Sequence, residues 1–451
     1  MCQAPKLTQP MRVHVEGVQH MAGTEKEASR GMTPLGGGLL WFGAAVSLAE
    51  IMTGTLLAPL GFARGMLAIV LGHLAGGLLM ALVGLIGAWS GKPAMETVGI
   101  AFGRPGTVFF AGMNVLQLVG WSAVMIAGGA AALSQLAGMP SLAGAALIGA
   151  LVALWAAVGP NRLGRLNGVA VGCLFLLAVG LAFLVFRSGT PAQEAGTGMA
   201  FGAGLELSVA MPVSWLPLMA DYTRTGTRPV RLTVVSTIAY FCGSALMYAI
   251  GLGAALHAGG TDIVAVLAAT GFGVAGLVVV VLATVTTTFL DVFSAGESLH
   301  AVCRAVPVKW AALAVTAIGT VAAVCLSMAA YEQFLYVIGS VFVPMAAIQV
   351  TDWFLLGHRT AARAQGRVVP NFLVWWVGFV AHRWLLTVEA PIGSTLPVLA
   401  LTVTLCLAVH ALAGTGKRRV PAEEGDAGEQ VWNAGPDGGS AGKCGEWREQ
   451  G

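Results

Sequence analysis

The stretch 277–291, LVVVVLATVTTTFLD, places hydroxyl side chains and a carboxylate in the middle of an apolar helix. A helix that crosses lipid satisfies its own backbone groups, so polar side chains at mid-depth need another reason. These side chains follow the spacing i, i+3, i+4 and i+7, which puts them on one helical face: Thr284, Thr287, Thr288 and Asp291. One polar stripe inside an apolar helix predicts a cavity that holds an ion or a solute.

The composition of the whole chain assigns this stretch to a membrane protein. Of the 451 residues, 57% are hydrophobic and 10% are charged, whereas a soluble domain has roughly 25% charged residues. A spanning helix needs roughly 20 mainly apolar residues. On this criterion we predict an all-α integral membrane protein with twelve spans, numbered in chain order, at 36–60, 64–90, 105–136, 141–159, 165–187, 200–222, 230–257, 272–298, 308–329, 331–356, 370–387 and 394–414.

Positive charge is distributed unevenly between the predicted loops. If the N-terminus is cytoplasmic, the cytoplasmic side holds all of the 24 Lys and Arg residues except Arg64, Arg187 and Arg383. Cytoplasmic loops of multi-pass proteins carry such an excess. We therefore predict a protein of the inner (plasma) membrane with both termini in the cytoplasm. The formal net charge of +3 reflects this topology, and we expect the lipid bilayer, not nucleic acid, as its surroundings.

Several function classes lack their motifs in this sequence. There is no G-x-x-x-x-G-K-[ST] loop for direct ATP drive, and no H-E-x-x-H or G-x-S-x-G motif of a hydrolase. The seven cysteines form no C-x-x-C pair, which argues against a metal centre or a disulfide framework. Repeated filter rings typical of channels are also missing. We therefore predict a gradient-driven transporter with no enzymatic activity and no cofactor, and keep a non-transporting sensor or scaffold as the alternative.

The spans divide into two halves and two further helices. The predicted division is a cytoplasmic N-terminal tail at 1–35, a transporter domain at 36–414 and a disordered cytoplasmic C-terminal tail at 415–451, with the domain made of a first repeat at 36–187, a second repeat at 200–356 and extra helices at 370–414. An odd number of spans in each half makes the halves point in opposite directions, as inverted repeats require.

Spans 1 and 6 are then counterparts, and both carry interruptions at mid-span. Span 1 has Ser47 and Glu50 among small residues, and span 6 has Pro212. Proline lacks the N–H that would bond the preceding turn, which frees a carbonyl. Two broken helices that face each other at the midplane offer helix ends and bare carbonyls to a substrate and a cation.

Five sequence motifs resemble the nucleobase:cation symporter-1 family. They are WFGAA at 41–45, SWLPLMADYTR at 214–224, FSAG at 293–296, IGSVF at 338–342 and TD at 351–352. Two further stretches, AVSLAEIMTGTLLAPLG at 45–61 and NVLQLVGW at 114–121, resemble its hydroxymethylpyrimidine permease subgroup. The resemblance implies a LeuT-like 5+5 inverted-repeat fold with two additional C-terminal helices, and transport of planar nitrogen heterocycles with sodium or protons.

Polar and aromatic side chains on spans 1, 3, 6 and 8 fit a planar cargo that forms hydrogen bonds. Trp121 and Trp215 lie on different spans, and two indoles can stack on the faces of one ring. The resemblance implies such a pair with a neighbouring Gln, although Gln117 precedes Trp121 here, in the reverse of the family order. The predicted substrate-binding residues are Ser47, Glu50, Asn114, Gln117, Trp121, Ser214, Trp215 and Thr288.

Glu50 is the sharpest single candidate among them. A carboxylate at mid-span is costly and usually has a partner. An aminopyrimidine presents N–H donors that such a carboxylate can accept. Two other interpretations stay open, namely a structural anchor for the broken helix and a group that carries a coupling proton.

The resemblance also implies a sodium site between spans 1 and 8. Thr286 and Thr287 match its hydroxyl ligands, Ala283 matches a carbonyl ligand, and hard cations prefer oxygen. In the alternative interpretation, these hydroxyls bond the carbonyl one turn back. Other polar residues have weaker assignments: Asp291 to gating or the cation, Glu206 to pairing or the entrance, His73 to packing, and Asp221 and Asp352 to ion pairs with Arg224 or with His358 and Arg359. Gly72 and Gly76 predict close helix packing.

From these observations we predict a secondary active transporter. Its expected cargo is a pyrimidine-type heterocycle, hydroxymethylpyrimidine (a thiamine precursor), imported by cation symport through alternating access. Sodium and protons both stay open as the coupling ion, as does the oligomeric state. The alternatives are a permease of the same fold for cytosine, allantoin, a hydantoin or another small solute.

Overall fold

A computed structural model describes residues 31–159, 164–187, 198–258, 273–325, 331–360, 366–388 and 390–412. Its helices, in chain order, are α1 Pro34–Ala45, α2 Leu48–Leu56, α3 Gly61–Ser90, α4 Ala94–Ala137, α5 Ser141–Val158, α6 Gly164–Phe186, α7 Phe201–Ser214, α8 Leu216–Thr223, α9 Pro229–Ala258, α10 Gly273–Val302, α11 Val308–Cys325, α12 Tyr331–Val350, α13 Val368–Thr387 and α14 Thr395–Leu412. The predicted C-terminal tail and all but the last residues of the predicted N-terminal tail lie outside the described residues.

The helices correspond to the predicted spans, with spans 1 and 6 each built from two helices. Within the described ranges, the only β-type pairing is an isolated bridge between Met32 and Gly226, so the predicted all-α membrane fold is confirmed. Ten helical stretches among these residues are long and apolar enough to cross a membrane. The difference from twelve arises because α2 and α3 run on as one stretch and because Trp, His and Arg side chains lower the mean hydropathy of α13.

The predicted interruption of span 1 lies between α1 and α2. Val46 leaves the helical conformation with ψ of 84°, and Ser47 is extended. The Ser47 hydroxyl then accepts the Glu50 backbone N–H at 3.3 Å, which caps the start of α2. The sequence therefore stops and restarts the helix within a few residues of a buried carboxylate.

The interruption of span 6 lies at Trp215, three residues beyond the predicted point. The helix continues through Pro212 and ends at Ser214. Trp215 donates its backbone N–H to the Pro212 carbonyl at 3.3 Å, a bond to the third residue back. Pro217 supplies the cause, because it has no N–H and its ring crowds the carbonyl four residues earlier.

The packing follows the expected repeat. Helix α1 packs along α9, and α3 packs along α7. If spans 1 and 2 are the counterparts of spans 6 and 7, these two contacts are the same contact in the two halves. Helices α4 and α10, which belong to spans 3 and 8, pack against each other along much of their length.

A further helical segment precedes span 3, and a kink at Gly103 separates the two close to the predicted start of the span at residue 105. Helix α4 starts at Ala94, and Gly103 breaks its geometry with φ of 64°, a value that favours glycine. The following Arg104 donates to the backbone carbonyls of Ala301 (2.8 Å) and Val302. These are carbonyls at the end of α10 that have no partner within the helix, so the bend in α4 ties the two helices together.

Glycines let the broken helix approach its neighbour. A Cβ on Gly54 in α2 would overlap the backbone of Tyr248 in α9, and a Cβ on Gly251 would overlap the Ile51 carbonyl. The prediction of close packing at Gly72 and Gly76 is confirmed, because Cβ atoms there would overlap Ser208 and Pro212 of α7. Backbone contact of this kind is how membrane helices pack tightly.

Replacement of Gly54 by Ala is expected to destabilise the protein. The added methyl group meets backbone atoms that cannot rotate away, and overpacking of this kind costs about 1–3 kcal/mol. The measurement is the melting temperature in detergent, followed by size-exclusion fluorescence. Gly172→Ala is the matched control, because a Cβ there meets nothing within 4 Å. Equal melting temperatures for the two variants would contradict the proposed close contact.

Candidate functional site

A small cavity lies where both broken spans meet α4 and α10. It is lined by Ala44, Ser47, Ala49, Glu50, Trp121, Met125, Met211, Ser214, Trp215, Thr287 and Asp291. Five predicted substrate-binding residues are among them, together with one predicted sodium ligand. The polar residues that the sequence analysis selected on four separate spans therefore converge on one place.

Glu50 is buried, with 1% of its surface exposed, and both of its carboxylate oxygens accept hydrogen bonds. The Tyr240 hydroxyl donates to Oε1 at 2.8 Å, and Ser244 Oγ lies 2.7 Å from Oε2. Trp215 Nε1 in turn donates to the Tyr240 hydroxyl at 2.9 Å. The carboxylate is thus held by α9 while it faces the cavity, and it positions one of the two predicted indoles through a tyrosine.

Tyr240 and Ser244 were not predicted as site residues from the sequence. The available signal was their spacing with Tyr248, since i, i+4 and i+8 put the three polar side chains on one face of an apolar span. His73, predicted to be a packing residue, also belongs here. Its Nε2 lies 2.6 Å from Ser244 Oγ, and its Nδ1 donates to the Ile69 carbonyl at 2.9 Å.

The two predicted indoles lie on different walls of the cavity. Trp121 packs edge-on against Phe334, with ring centroids 5.4 Å apart. Trp215 packs edge-on against Trp41 at 5.2 Å. Within the described part of the chain, Trp121 Nε1 has no hydrogen-bond partner, so its N–H is available to a ligand.

Gln117 and Asn114 lie behind the cavity and not on its surface. Gln117 Nε2 donates to Asn114 Oδ1 at 2.8 Å and to the Ser214 carbonyl at 3.0 Å. Asn114 Nδ2 donates to Ser298 Oγ at 2.8 Å. These amides join α4 to the break in span 6 and to α10. Gln117 Oε1 is buried without a hydrogen-bond partner among the described residues.

The threonine stripe on α10 divides into two kinds of hydroxyl. Thr286 donates to the carbonyls of Leu282 (2.9 Å) and Ala283 (3.1 Å), and Thr288 donates to that of Thr284 (2.7 Å). These are the back-bonds of the alternative interpretation. Thr288 and Thr284 do not line the cavity.

Thr287 and Asp291, one turn apart, behave differently. Both line the cavity, and no hydrogen bond or ion pair joins either side chain to another described residue; the buried Thr287 hydroxyl is an orphan. Ala283 lines a second small cavity with Val46 and Ser47 at the break of span 1. The Thr287 hydroxyl, which has no hydrogen-bond partner among the described residues, can bind a hard cation, whereas Thr286 must first give up its back-bonds.

Two further carboxylates lie away from the cavity and hold helix ends. Glu206 accepts the backbone N–H groups of Ser394 and Thr395 at 2.8 and 2.9 Å, at the start of α14, and lies 3.0 Å from His382 Nε2. Asp221 accepts the Ala94 N–H at 2.8 Å, at the start of α4. Anionic acceptors are favourable at helix N-termini.

The predicted ion pairs are partly correct. Asp352 pairs with Arg367 at 2.6 Å and with His358 at 2.8 Å. The pair of Asp221 with Arg224 was wrong, because Arg224 pairs with Glu297 at 2.9 Å. Arg359 does not reach Asp352 and lies over the Trp353 ring at 5.7 Å.

Comparison with known proteins gives a match over most of the chain. A family model described as "Permease for cytosine/purines, uracil, thiamine, allantoin" matches residues 26–390. The cytosine permease of Escherichia coli strain K12 is 27% identical over 390 residues, which cover 82% of this chain and 89% of that protein. The cytosine permease of Escherichia coli O157:H7 matches with the same identity and coverage.

Solved structures show the same fold at low sequence identity. The nucleobase-cation-symport-1 family transporter MHP1, in a closed conformation with bromovinylhydantoin bound, is similar with a TM-score of 0.73 and 17% identity, covering 86% of this chain and 94% of that one. A substrate-bound outward-open Na+-coupled sialic acid symporter is similar with a TM-score of 0.63 and 13% identity, covering 84% and 89%. The predicted LeuT-like architecture is confirmed.

Replacement of Tyr240 by Phe is expected to destabilise the protein. The change removes the donor to Glu50 and the acceptor for Trp215, and each buried unsatisfied group costs about 1–3 kcal/mol. The measurement is again the detergent melting temperature. Tyr336→Phe is the control, because the Tyr336 hydroxyl bonds the partly exposed Glu332 at 2.6 Å. A Tyr240→Phe variant as stable as Tyr336→Phe would contradict the role of this hydroxyl.

Proposed function

Since the chain belongs to the family of permeases for cytosine/purines, uracil, thiamine and allantoin, we propose that it imports a planar pyrimidine-type heterocycle by cation symport. The specific cargo in this proposal is hydroxymethylpyrimidine, a precursor of thiamine. The observation that carries the proposal is the cavity that Trp121, Trp215, Glu50 and Asp291 line together.

The aromatic walls suit a flat ring. Indoles bury a large apolar area and prefer offset or edge-on contacts with other rings. Trp121 Nε1 adds an unused donor at the rim of that surface. A planar heterocycle with a ring nitrogen is the simplest cargo that uses both the ring faces and the free N–H.

The polar groups of the cavity favour a cargo that carries N–H donors. Glu50 and Asp291 line it, and no Lys or Arg stands among its described lining residues. An ionised carboxylate only accepts hydrogen bonds. Asp291, which has no partner of its own, suits the exocyclic amino group of an aminopyrimidine. A cargo with carbonyl groups alone would leave this carboxylate without a partner.

The Thr287 hydroxyl, without a hydrogen-bond partner among the described residues, supports cation coupling in this proposal. In this proposal sodium binds Ala283, Thr286 and Thr287, with Thr286 rotating out of its back-bonds. The cation drives transport by binding the outward-facing conformation better than the inward-facing one. Cytosine is the second candidate cargo, because it is also an aminopyrimidine and because the matched Escherichia coli relatives are cytosine permeases.

Uptake competition in proteoliposomes tests the cargo class. Accumulation of radiolabelled hydroxymethylpyrimidine is expected to fall when excess unlabelled hydroxymethylpyrimidine or cytosine is added, since both present an amino group to Asp291. Hydantoin is expected to compete at least tenfold less well, because it has no exocyclic amino group for Asp291 and a good polar match is worth about 1.4 kcal/mol or more. Strong competition by allantoin alone would overturn the assignment, and no accumulation of any compound would favour the scaffold.

Replacement of Trp215 by Ala is expected to abolish uptake while the protein still reaches the membrane. The change removes one aromatic wall and the N–H that Tyr240 accepts. The measurement is initial uptake rate, normalised to protein in the membrane. Trp376→Ala is the matched control, because Trp376 is 55% exposed on the outer surface of α13. Normal uptake by the Trp215 variant would remove this residue from the site.

A further inference from the structure

An unbroken chain of hydrogen bonds runs from the cavity into the protein wall. Trp215 Nε1 donates to Tyr240, and Tyr240 donates to Glu50 Oε1. Ser244 Oγ then lies between two buried groups, 2.7 Å from Glu50 Oε2 and 2.6 Å from His73 Nε2. All five distances along this path, including that from His73 Nδ1 to the Ile69 carbonyl, are between 2.6 and 2.9 Å.

Counting hydrogens along this chain shows that one is missing. A carbonyl only accepts, so the Ile69 carbonyl fixes a hydrogen on His73 Nδ1. In a neutral imidazole, Nε2 is then an acceptor. An ionised Glu50 is an acceptor as well, and Ser244 has a single hydrogen to place between the two. With a carboxylate and a neutral imidazole, one of these two short contacts has no hydrogen in it.

One additional proton completes the network in either of two positions. If Glu50 Oε2 carries it, Glu50 donates to Ser244 and Ser244 donates to His73. If His73 Nε2 carries it, His73 donates to Ser244 and Ser244 donates to Glu50. Both arrangements satisfy every donor and acceptor, and both hold the same number of protons. Buried polar groups are paired in native proteins, so the geometry requires this proton.

Among the residues that the structure describes around Glu50, no other group balances the charge of its carboxylate. The ionisable side chains around Glu50 are Tyr240 and Tyr248 of α9, Tyr331 of α12 and, across the cavity, Asp291 of α10. His73 faces Ser244 and the Tyr248 ring, whose centroid is 4.8 Å away. Among the described residues, no Lys or Arg forms an ion pair with Glu50, and an unpaired buried charge is costly.

We propose that Glu50, Ser244 and His73 form a proton-binding site, the relay, and that its proton is a coupling ion of transport; this rests on the function proposed above. Glu50 lines the cavity, so the relay exchanges protons with whichever side the cavity opens to. One proton from the outer solution binds the relay and one cargo molecule binds the cavity. Both leave on the inner side, and the relay returns with an ionised Glu50 and a neutral His73.

The link to conformation is the contact that the proton completes. The relay joins α2, α9 and α3, and Trp215 adds the break of span 6 through Tyr240. Loss of the proton leaves one buried bond unmade at this junction. Protonation therefore stabilises one arrangement of the two broken spans over another, which is what a coupling ion must do.

The first test measures proton movement directly. Proteoliposomes that contain a pH-sensitive dye, with equal sodium concentrations inside and outside, receive hydroxymethylpyrimidine or cytosine outside. The lumen is expected to acidify as cargo enters, with one proton per molecule. An inward gradient of one pH unit is expected to raise accumulation about tenfold at that stoichiometry. Cargo uptake that requires sodium and moves no protons would overturn the relay and leave the proposed function intact.

Glu50→Gln is the decisive variant. The amide keeps the acceptor for Tyr240 and supplies a fixed donor to Ser244, but it does not titrate. This variant is expected to show neither acidification nor uphill accumulation. Ser244→Ala, at a residue that does not line the cavity, is expected to lose coupling as well while it still exchanges labelled for unlabelled cargo. Ser236→Ala, two turns earlier on α9 and without a hydrogen-bond partner among the described residues, is expected to keep coupling. Coupled transport by Glu50→Gln would refute the proposal.

Infrared difference spectroscopy tests the proton without any transport. The protein as purified is expected to show a band of the protonated relay, either the stretching band of a protonated carboxyl group or the ring band of a protonated imidazole, that titrates with pH and is missing in Glu50→Gln. His73→Gln is expected to change the pH at which this band disappears, whereas Ser236→Ala leaves it unchanged. A titrating band in a protein that moves no cargo would disprove the proposed function alone. A spectrum that Glu50→Gln does not alter would disprove the relay.

Discussion

The structure depends on one constraint, which is that backbone groups inside the hydrocarbon layer must find partners within the protein. An unbroken helix is the simplest way to satisfy this constraint, but spans 1 and 6 both break at mid-depth. Each break is repaired by side chains: Ser47 caps the restarted helix of span 1, and Gln117 donates to the Ser214 carbonyl at the break of span 6. Polar residues at this depth are therefore needed before any ligand binds, and the cavity forms where these repairs meet.

This constraint divides the buried polar residues into two groups. Glu206 and Asp221 accept backbone N–H groups at helix N-termini and hold those helix ends in place. Thr287, Asp291 and Trp121 line the cavity, and the Thr287 hydroxyl and Trp121 Nε1 have no hydrogen-bond partner in the described part of the chain. Burial alone does not distinguish the groups, because all of these residues are buried. Unused hydrogen-bonding capacity beside a cavity is the feature that marks a binding surface.

Sequence patterns predicted the spans, their breaks and most residues of the cavity, because apolar length and helical spacing are local properties. The partners of those residues were not predictable. Ser244 reaches Glu50 from a position 194 residues away, and which face of α9 turns towards α2 depends on glycines such as Gly54 and Gly251. Thr286 and Thr287 are adjacent in the sequence, yet the rotation of 100° per residue gives Thr286 a back-bond and places Thr287 at the cavity. The subgroup resemblance added a cargo, which remains a proposal.

Arg104 does more than bind carbonyls at the end of a helix, because it also joins α4 to α10. Its guanidinium donates hydrogen bonds to the last carbonyls of α10. Asn114 donates a hydrogen bond to Ser298 farther along the same pair of helices. These hydrogen bonds, at two points along the interface between α4 and α10, hold the two helices together as one wall of the cavity. This wall carries Trp121, Thr287 and Asp291. Glu50 and Trp215 belong to the opposite wall, and both form a hydrogen bond with Tyr240. The width of the cavity can then change as the two walls move relative to each other, and a flat ring fits when this width matches the thickness of the ring.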